Sequence, residues 1–208
     1  MGRRRPVIDR FTGRILGAGS TSGLRLVIGD WASSPLGSFT DVMVATPEDR
    51  RLLLAPTNEV ADYVSDTYRF DEVVVVPVEL SVAADRWRLT AGDLACRLRL
   101  GGRTAAGRLL HAVPDAIERS RGFATIADPI ARRIFPGVRT RGSAGGGRRE
   151  YYGAHDQHRV IELAGSWRGR PLGELAPVDP APRFGFSSTP VEPCLTRVTT
   201  TIVRGGGG

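Results

Sequence analysis

Short runs of β-branched, aromatic and alternating apolar residues recur along the chain, each closed off by glycine, proline or acidic residues, and no single motif constrains the fold as strongly. Asp93 to Leu100 puts Leu94, Cys96, Leu98 and Leu100 on one face and Ala95, Arg97 and Arg99 on the other, the signature of a half-buried strand. Cys194 to Val203 repeats it, with Cys194, Thr196, Val198, Thr200 and Ile202 sharing a face. Arg10 to Leu16 and Leu24 to Trp31 flank Gly17–Gly23 and read as a hairpin with a long glycine-containing loop. Asp41 to Ala45 and Arg51 to Ala55 flank Pro47-Glu48-Asp49 and read as a second hairpin. Glu72 to Leu80, with its valine run and Pro77, predicts a strand covered on both faces. Further strands are predicted at Arg148 to Ala154, His158 to Ala164 and Pro182 to Phe186, which leaves His155-Asp156-Gln157 at a turn. Pro171 to Pro193 contains six prolines and reads as extended coil.

Helical signals are few. After Pro56, Thr57 or Asn58 can cap a helix in which Val60, Tyr63, Val64 and Thr67 share one face and Glu59, Asp62 and Asp66 the other. Thr104 can cap a second through Val113, and Asp128-Pro129 has the order that opens a third. The expected fold is α+β: a curved, mainly antiparallel β-sheet closing toward a barrel, with one amphipathic helix and a helical insertion at about 103–136. One domain over 1–204 is expected, with 205–208 as a flexible glycine tail. The interior or mouth of such a barrel is a common place for a small ligand.

Composition removes several chemistries. All 29 basic residues are arginine, so no Schiff-base lysine, pyridoxal-phosphate site or Walker-type phosphate loop can be built in its usual form. The arginine excess is also what a GC-rich coding sequence produces, which weakens it as a sign of nucleic-acid binding. The charge is uneven: residues 1–100 hold 13 arginines against 13 acids, whereas Arg119 to Arg149 hold eight arginines against Asp128 alone. Such a patch suits an anionic partner. Cys96 and Cys194, both within apolar strand patterns, read as buried free thiols. No secretory signal or 18-residue apolar stretch occurs, so a cytoplasmic location without membrane contact is expected; oligomeric state is left open.

Two segments are singled out as candidate sites. The loop around Gly145 and Gly146, flanked by Arg141, Arg148 and Arg149, offers converging backbone N–H groups and bidentate guanidinium forks for a small carboxylate- or phosphate-bearing ligand, with Tyr151 packed against its apolar part. Strand alternation would turn Arg149, Tyr151 and Gly153 toward that ligand and leave Arg148 paired with Glu150 on the other face. The alternative is a metal-independent enzyme in which His155 or His158 is the general base and Asp156 or Glu150 orients it. The third reading is a nucleic-acid-binding accessory protein, which lacks recognisable base-reading elements. The H-x-x-H spacing is not that of the helical zinc sites, and neither a metal nor a cofactor is expected. Gly17-Ala18-Gly19 begins like a dinucleotide loop, but Leu24 to Ile28 after it is strand-like and supplies no helix N-terminus.

The segments RTRGSAGGGRREYYGAHDQHRV and PVDPAPRFGFSSTP resemble uncharacterised conserved proteins of high-GC actinobacteria, a likeness that assigns no catalytic residue. In architecture the chain is similar to acetoacetate-decarboxylase-like proteins. That resemblance implies a curved β-rich sheet with helical insertions, and the missing lysine removes the decarboxylase's Schiff-base chemistry from what it implies.

Overall fold

A computed structural model describes residues 6–111, 141–143, 148–185 and 188–204. The strands are β1 (Val7–Ser20), β2 (Arg25–Ser33), β3 (Phe39–Ala45), β4 (Arg51–Ala55), β5 (Glu72–Val75), β6 (Val78–Ala83), β7 (Arg86–Ala91), β8 (Leu94–Arg103), β9 (Arg141–Ser143), β10 (Arg149–Trp167), β11 (Arg170–Pro171), β12 (Leu175–Ala176) and β13 (Cys194–Arg204). Two helices, α1 (Asn58–Ser65) and α2 (Ala105–His111), complete the described elements. The main sheet runs β5-β4-β3-β2-β1-β13-β10-β8-β7-β6, with β9 and β11 on β10 and β12 on β1. Its end strands β5 and β6 do not pair, so it is a curled half-barrel. β4 and β5 are parallel, joined through α1, and the other pairs are antiparallel.

The middle of this sheet is buried on both faces. On one, Leu16, Leu26, Ile28, Val42 and Val44 pack against Trp87, Leu89, Leu94, Cys96 and Leu98 of the curled-over β7 and β8 and form the main core. The opposite face, with Ile15, Val27, Trp31, Asp41 and Met43, looks toward α1 and Pro182, Phe184, Ser188, Thr189 and Pro190. A smaller cluster of Leu53, Ala55, Val60, Ala61 and Val64 fixes α1 to β4. Thr57 caps that helix, its hydroxyl accepting from the Val60 amide at 3.2 Å. Thr104 does the same for α2 through the Gly107 amide at 2.9 Å. Both cysteines are free and buried.

Several local expectations are corrected. The first hairpin has no long loop, because β1 continues through Gly17 to Ser20 and turns at Gly23, whose φ is +84°. Gly17 and Gly19 are strand residues without room for a side chain: a Cβ would lie 2.7 Å from the Thr189 side chain at one and 2.0 Å from the Pro177 carbonyl oxygen at the other. The valine run is two strands, β5 and β6; Val73 and Val75 are 44% and 43% exposed, since β5 is a sheet edge rather than a doubly covered strand. The two strands expected on either side of His155 are one, β10, whose register against β13 shifts between Ala154 and Asp156. A bulge absorbs the extra residue where a turn was expected. Pro182 to Gly185 is irregular, not a strand; Phe186, Gly145, Gly146, the Asp128-Pro129 helix and most of the arginine-rich stretch lie outside the described residues. Among the described residues no helix is long and apolar enough to cross a membrane.

Candidate functional site

Between the second face of the sheet and its cover lies a cavity of about 240 Å³. Strands β1 to β3 supply Phe11, Trp31, Phe39 and Asp41, α1 supplies Tyr63, and Leu110 reaches in from α2. β13 contributes Cys194, Thr196, Val198, Thr200 and Ile202, the same alternating set that its sequence puts on one face. From β10 come Glu150, Tyr152, Ala154 and, beyond the bulge, Gln157.

Most of this wall is apolar, which makes its carboxyl groups conspicuous. Glu150 is 1% exposed, and its Oε1 accepts from the Tyr68 hydroxyl at 2.7 Å, while that hydroxyl lies 2.7 Å from the Tyr152 hydroxyl. Burial pushes the Glu150 carboxyl up to about 7, with the Tyr68 and Tyr152 hydrogen bonds pulling it back. Its Oε2 has no hydrogen-bond partner among the described residues. Burial likewise raises both tyrosines well above their ordinary range, with the charges and hydrogen bonds around Glu150 contributing, so these hydroxyls stay protonated and donate. Asp41 is the second acid: Trp31 donates its indole N–H to Oδ1 at 3.0 Å, and burial takes the carboxyl to about 7 against that bond. Gly29 makes room for this pair, since a Cβ there would sit 2.5 Å from Asp41 Oδ1 and 2.6 Å from the indole nitrogen. Thr189 Oγ1 and Thr200 Oγ1 are also buried without a partner among the described residues.

The expected site residues are dispersed around this cavity rather than gathered in it. Alternation along β10 groups Arg148 with Glu150, but the face turned inward is that of Glu150 and Tyr152, the reverse of the expected Arg149 and Tyr151 face. The Arg148–Glu150 pair is absent as well. Arg148 donates to the Tyr63 carbonyl (3.2 Å), Thr67 Oγ1 (2.8 Å) and Asp66 (2.8 Å), and its guanidinium lies over the Tyr63 ring. The separation in sequence hides this partnership, because α1 and β10 meet only after the sheet has curled. Arg149 is exposed, Tyr151 is half-buried, and Arg141 lies opposite Tyr151 in the β9–β10 ladder.

His155 and His158 are strand residues that do not line the cavity. His155 Nε2 is 2.9 Å from Thr199 Oγ1, and His158 lies 3.2 Å from the Gly101 carbonyl and 3.4 Å from Asp156. Asp156 is held by the Arg103 guanidinium, 3.0 Å from both its oxygens. Burial works to raise its carboxyl, but the bonds from Arg103 and the Gln157 amide outweigh that and keep it below the usual range. Of the four acid–base candidates, only Glu150 borders the cavity. Asp41 and Tyr68 lie outside the expected site residues, and Asp41 carries no signal in the sequence beyond its place in a strand pattern. Among the described residues no cluster of ligating side chains could hold a metal ion.

The Arg148 bonds give α1 a second anchor at its C-terminal end, where a cation also suits the helix dipole. Arg148→Ala should lower stability by about 2 kcal/mol, mainly through the two buried hydrogen bonds, because Asp66 is 67% exposed and its charge is screened. Urea denaturation checks this; a loss under about 0.5 kcal/mol would mean that α1 is held by its apolar face alone.

No family model matches the chain, and no curated protein matches it. It is similar to the crystal structure of acetoacetate decarboxylase from Legionella pneumophila subsp. pneumophila, at 10% identity and a TM-score of 0.44, over 99% of this chain and 88% of that one. A second acetoacetate decarboxylase structure is similar at 13% identity and a TM-score of 0.45, over 96% and 87% of the two chains. At these values the likeness carries no argument about activity.

Proposed function

We propose that this protein binds a small, mostly apolar molecule in the cavity between the sheet and its cover and holds its polar end at Glu150. The observation that carries this reading is a buried carboxyl with an oxygen unpartnered among the described residues, in the wall of a mostly apolar cavity. A buried polar atom left without a partner costs about 1 to 3 kcal/mol, and a ligand that satisfies it recovers that cost on binding. A cavity of about 150 Å³ takes benzene, so 240 Å³ suits a molecule of about ten non-hydrogen atoms. If proton transfer accompanies binding, Glu150 is the group for it, since a carboxyl titrating near 7 can both give and take a proton at neutral pH.

A thermal-shift screen of small alicyclic and aromatic compounds tests the reading. A ligand at a hundred times its Kd should stabilise the protein by about 2.7 kcal/mol, which is roughly 5 to 10 °C in a chain of this size. Ala154→Leu, which adds volume at the cavity wall, should abolish the shift without altering the near-UV circular dichroism. A ligand whose effect survives that substitution binds elsewhere.

A small anionic ligand at the β9–β10 hairpin is a second reading, favoured by the exposed side chain of Arg149. It requires Arg149→Ala to weaken binding of phosphate or acetate by at least tenfold, with Ala154→Leu having no effect.

A further inference from the structure

Among the described residues the charged groups of the cavity wall are all of one sign. Asp41 and Glu150 line it, and among the described residues it contains neither arginine nor histidine, in a chain with 29 arginines and no lysine. Its other titratable groups are Tyr63, Tyr68, Tyr152 and Cys194, none of which can become positive. Among the described residues an anion would meet two acids and no counter-charge in a low-dielectric space, whereas a cation would find opposite charge.

Aromatic rings reinforce the preference. Phe11 packs against Trp31, Phe39 and Tyr63 with centroid separations of 5.6, 6.4 and 5.3 Å, and all four border the cavity. Ring faces attract cations, and Tyr63 already holds the Arg148 guanidinium 5.0 Å from its centroid. The unpartnered oxygens, Glu150 Oε2, Thr189 Oγ1 and Thr200 Oγ1, can all accept hydrogen bonds. An ammonium N–H suits the unpartnered Glu150 Oε2, which is an acceptor when the carboxyl is ionised.

From this juxtaposition we propose that the ligand is an apolar amine bound as its ammonium ion, with Glu150 as its counter-ion and Asp41 as a second acid on the wall. The inference rests on the cavity reading above and adds the charge of the ligand. It also fixes a pH dependence. Tyr68 from beyond α1 and Tyr152 from β10 face the Glu150 carboxyl; Ile202, opposite it on β13, and Gly142, opposite it on β9, carry no charge. Leu110 of α2 is uncharged, Arg148 is turned to Asp66, and Asp41 is the other acid of the cavity. Burial leaves Glu150 largely protonated below neutral pH, so an ammonium ion must displace that proton, and its affinity should fall about tenfold between pH 8 and pH 6.

Isothermal titration with benzylamine, benzyl alcohol and benzoate, three probes of nearly one shape, tests the proposal. At pH 8 benzylamine should bind at least tenfold more tightly than benzyl alcohol and benzoate not measurably, and Glu150→Gln should bring benzylamine down to the level of the alcohol. The wild-type pH series reads the same property should that variant fail to fold. Equal binding of amine and alcohol, tighter binding of benzoate, or a benzylamine affinity independent of pH and of Glu150→Gln overturns the amine assignment while leaving the cavity reading intact. If none of the three binds and the thermal-shift screen yields no compound sensitive to Ala154→Leu, both fall.

Discussion

Glu150→Gln should gain about 2.5 kcal/mol of stability relative to the wild type as pH is raised from 5 to 8. In the folded protein burial holds the Glu150 carboxyl near 7, whereas in the unfolded chain it titrates near its ordinary 4.5. Between those values the folded state keeps a proton that the unfolded state has released. The stabilisation from that proton is complete below about pH 4.5, declines as pH rises toward 7, and is gone above it. Each unit of pH well inside that window is worth about 1.4 kcal/mol, and partial titration at its two ends brings the total to the figure above. Glutamine does not titrate and escapes the loss. Asp41, raised by burial in the same direction, loses stability over an overlapping range in both proteins and cancels in the difference. Urea denaturation of both proteins at pH 5, 6, 7 and 8 reads this directly. Parallel curves would mean that Glu150 is solvated in the folded state, and the case for a desolvated anchor would go with it.

Trp87→Ala is expected to cost about 4 kcal/mol, in the middle of the range for truncating a large buried aromatic. Trp87 is 0% exposed and packs where β7 and β8 close over Leu16, Leu26 and Ile28 of the central strands. The Arg14 guanidinium lies over the ring, 4.6 Å from its centroid, steadied by Asp30. Removal of the ring leaves a void that neighbours anchored in a sheet cannot fill by collapsing. The Trp87 Nε1 hydrogen has no acceptor among the described residues, so Trp87→Phe should cost far less than alanine, under about 1.5 kcal/mol. Denaturation of the two variants checks both figures. An alanine cost below about 2 kcal/mol would show that the curl of the sheet does not depend on this contact.

Legibility in the sequence divides along the range of the forces involved. Alternation in Leu94 to Leu100 and in Cys194 to Ile202 follows from backbone geometry alone, and burial on β8 and β13 follows it at Leu94, Cys96, Leu98, Cys194, Val198, Thr200 and Ile202, while Leu100 and Thr196 are half-buried and Leu195 on the opposite face is buried as well. The Thr57 cap is equally local, one hydroxyl reaching an amide three residues on. The histidine segment misled because a polar stretch that interrupts a strand pattern looks the same whether the chain turns or bulges. In β10 the bulge keeps pairing continuous with β13, and it returns Gln157 to the cavity face while His158 stays outside.

The sequence by itself determined a β-rich, curved sheet with one capped amphipathic helix, two free buried cysteines, and the absence of lysine chemistry, because each of these depends on residue identity or on neighbours a few positions apart. The site was decided by the tertiary structure. Glu150 takes its character from burial and from Tyr68, 82 residues away, and Asp41 from a desolvation that exists only once α1 and the residues around Pro182 and Thr189 cover the sheet. A carboxyl on an exposed strand and one on a buried strand are the same letter in the chain. Burial alone separates them, and burial is a property of how the sheet curls and what closes over it.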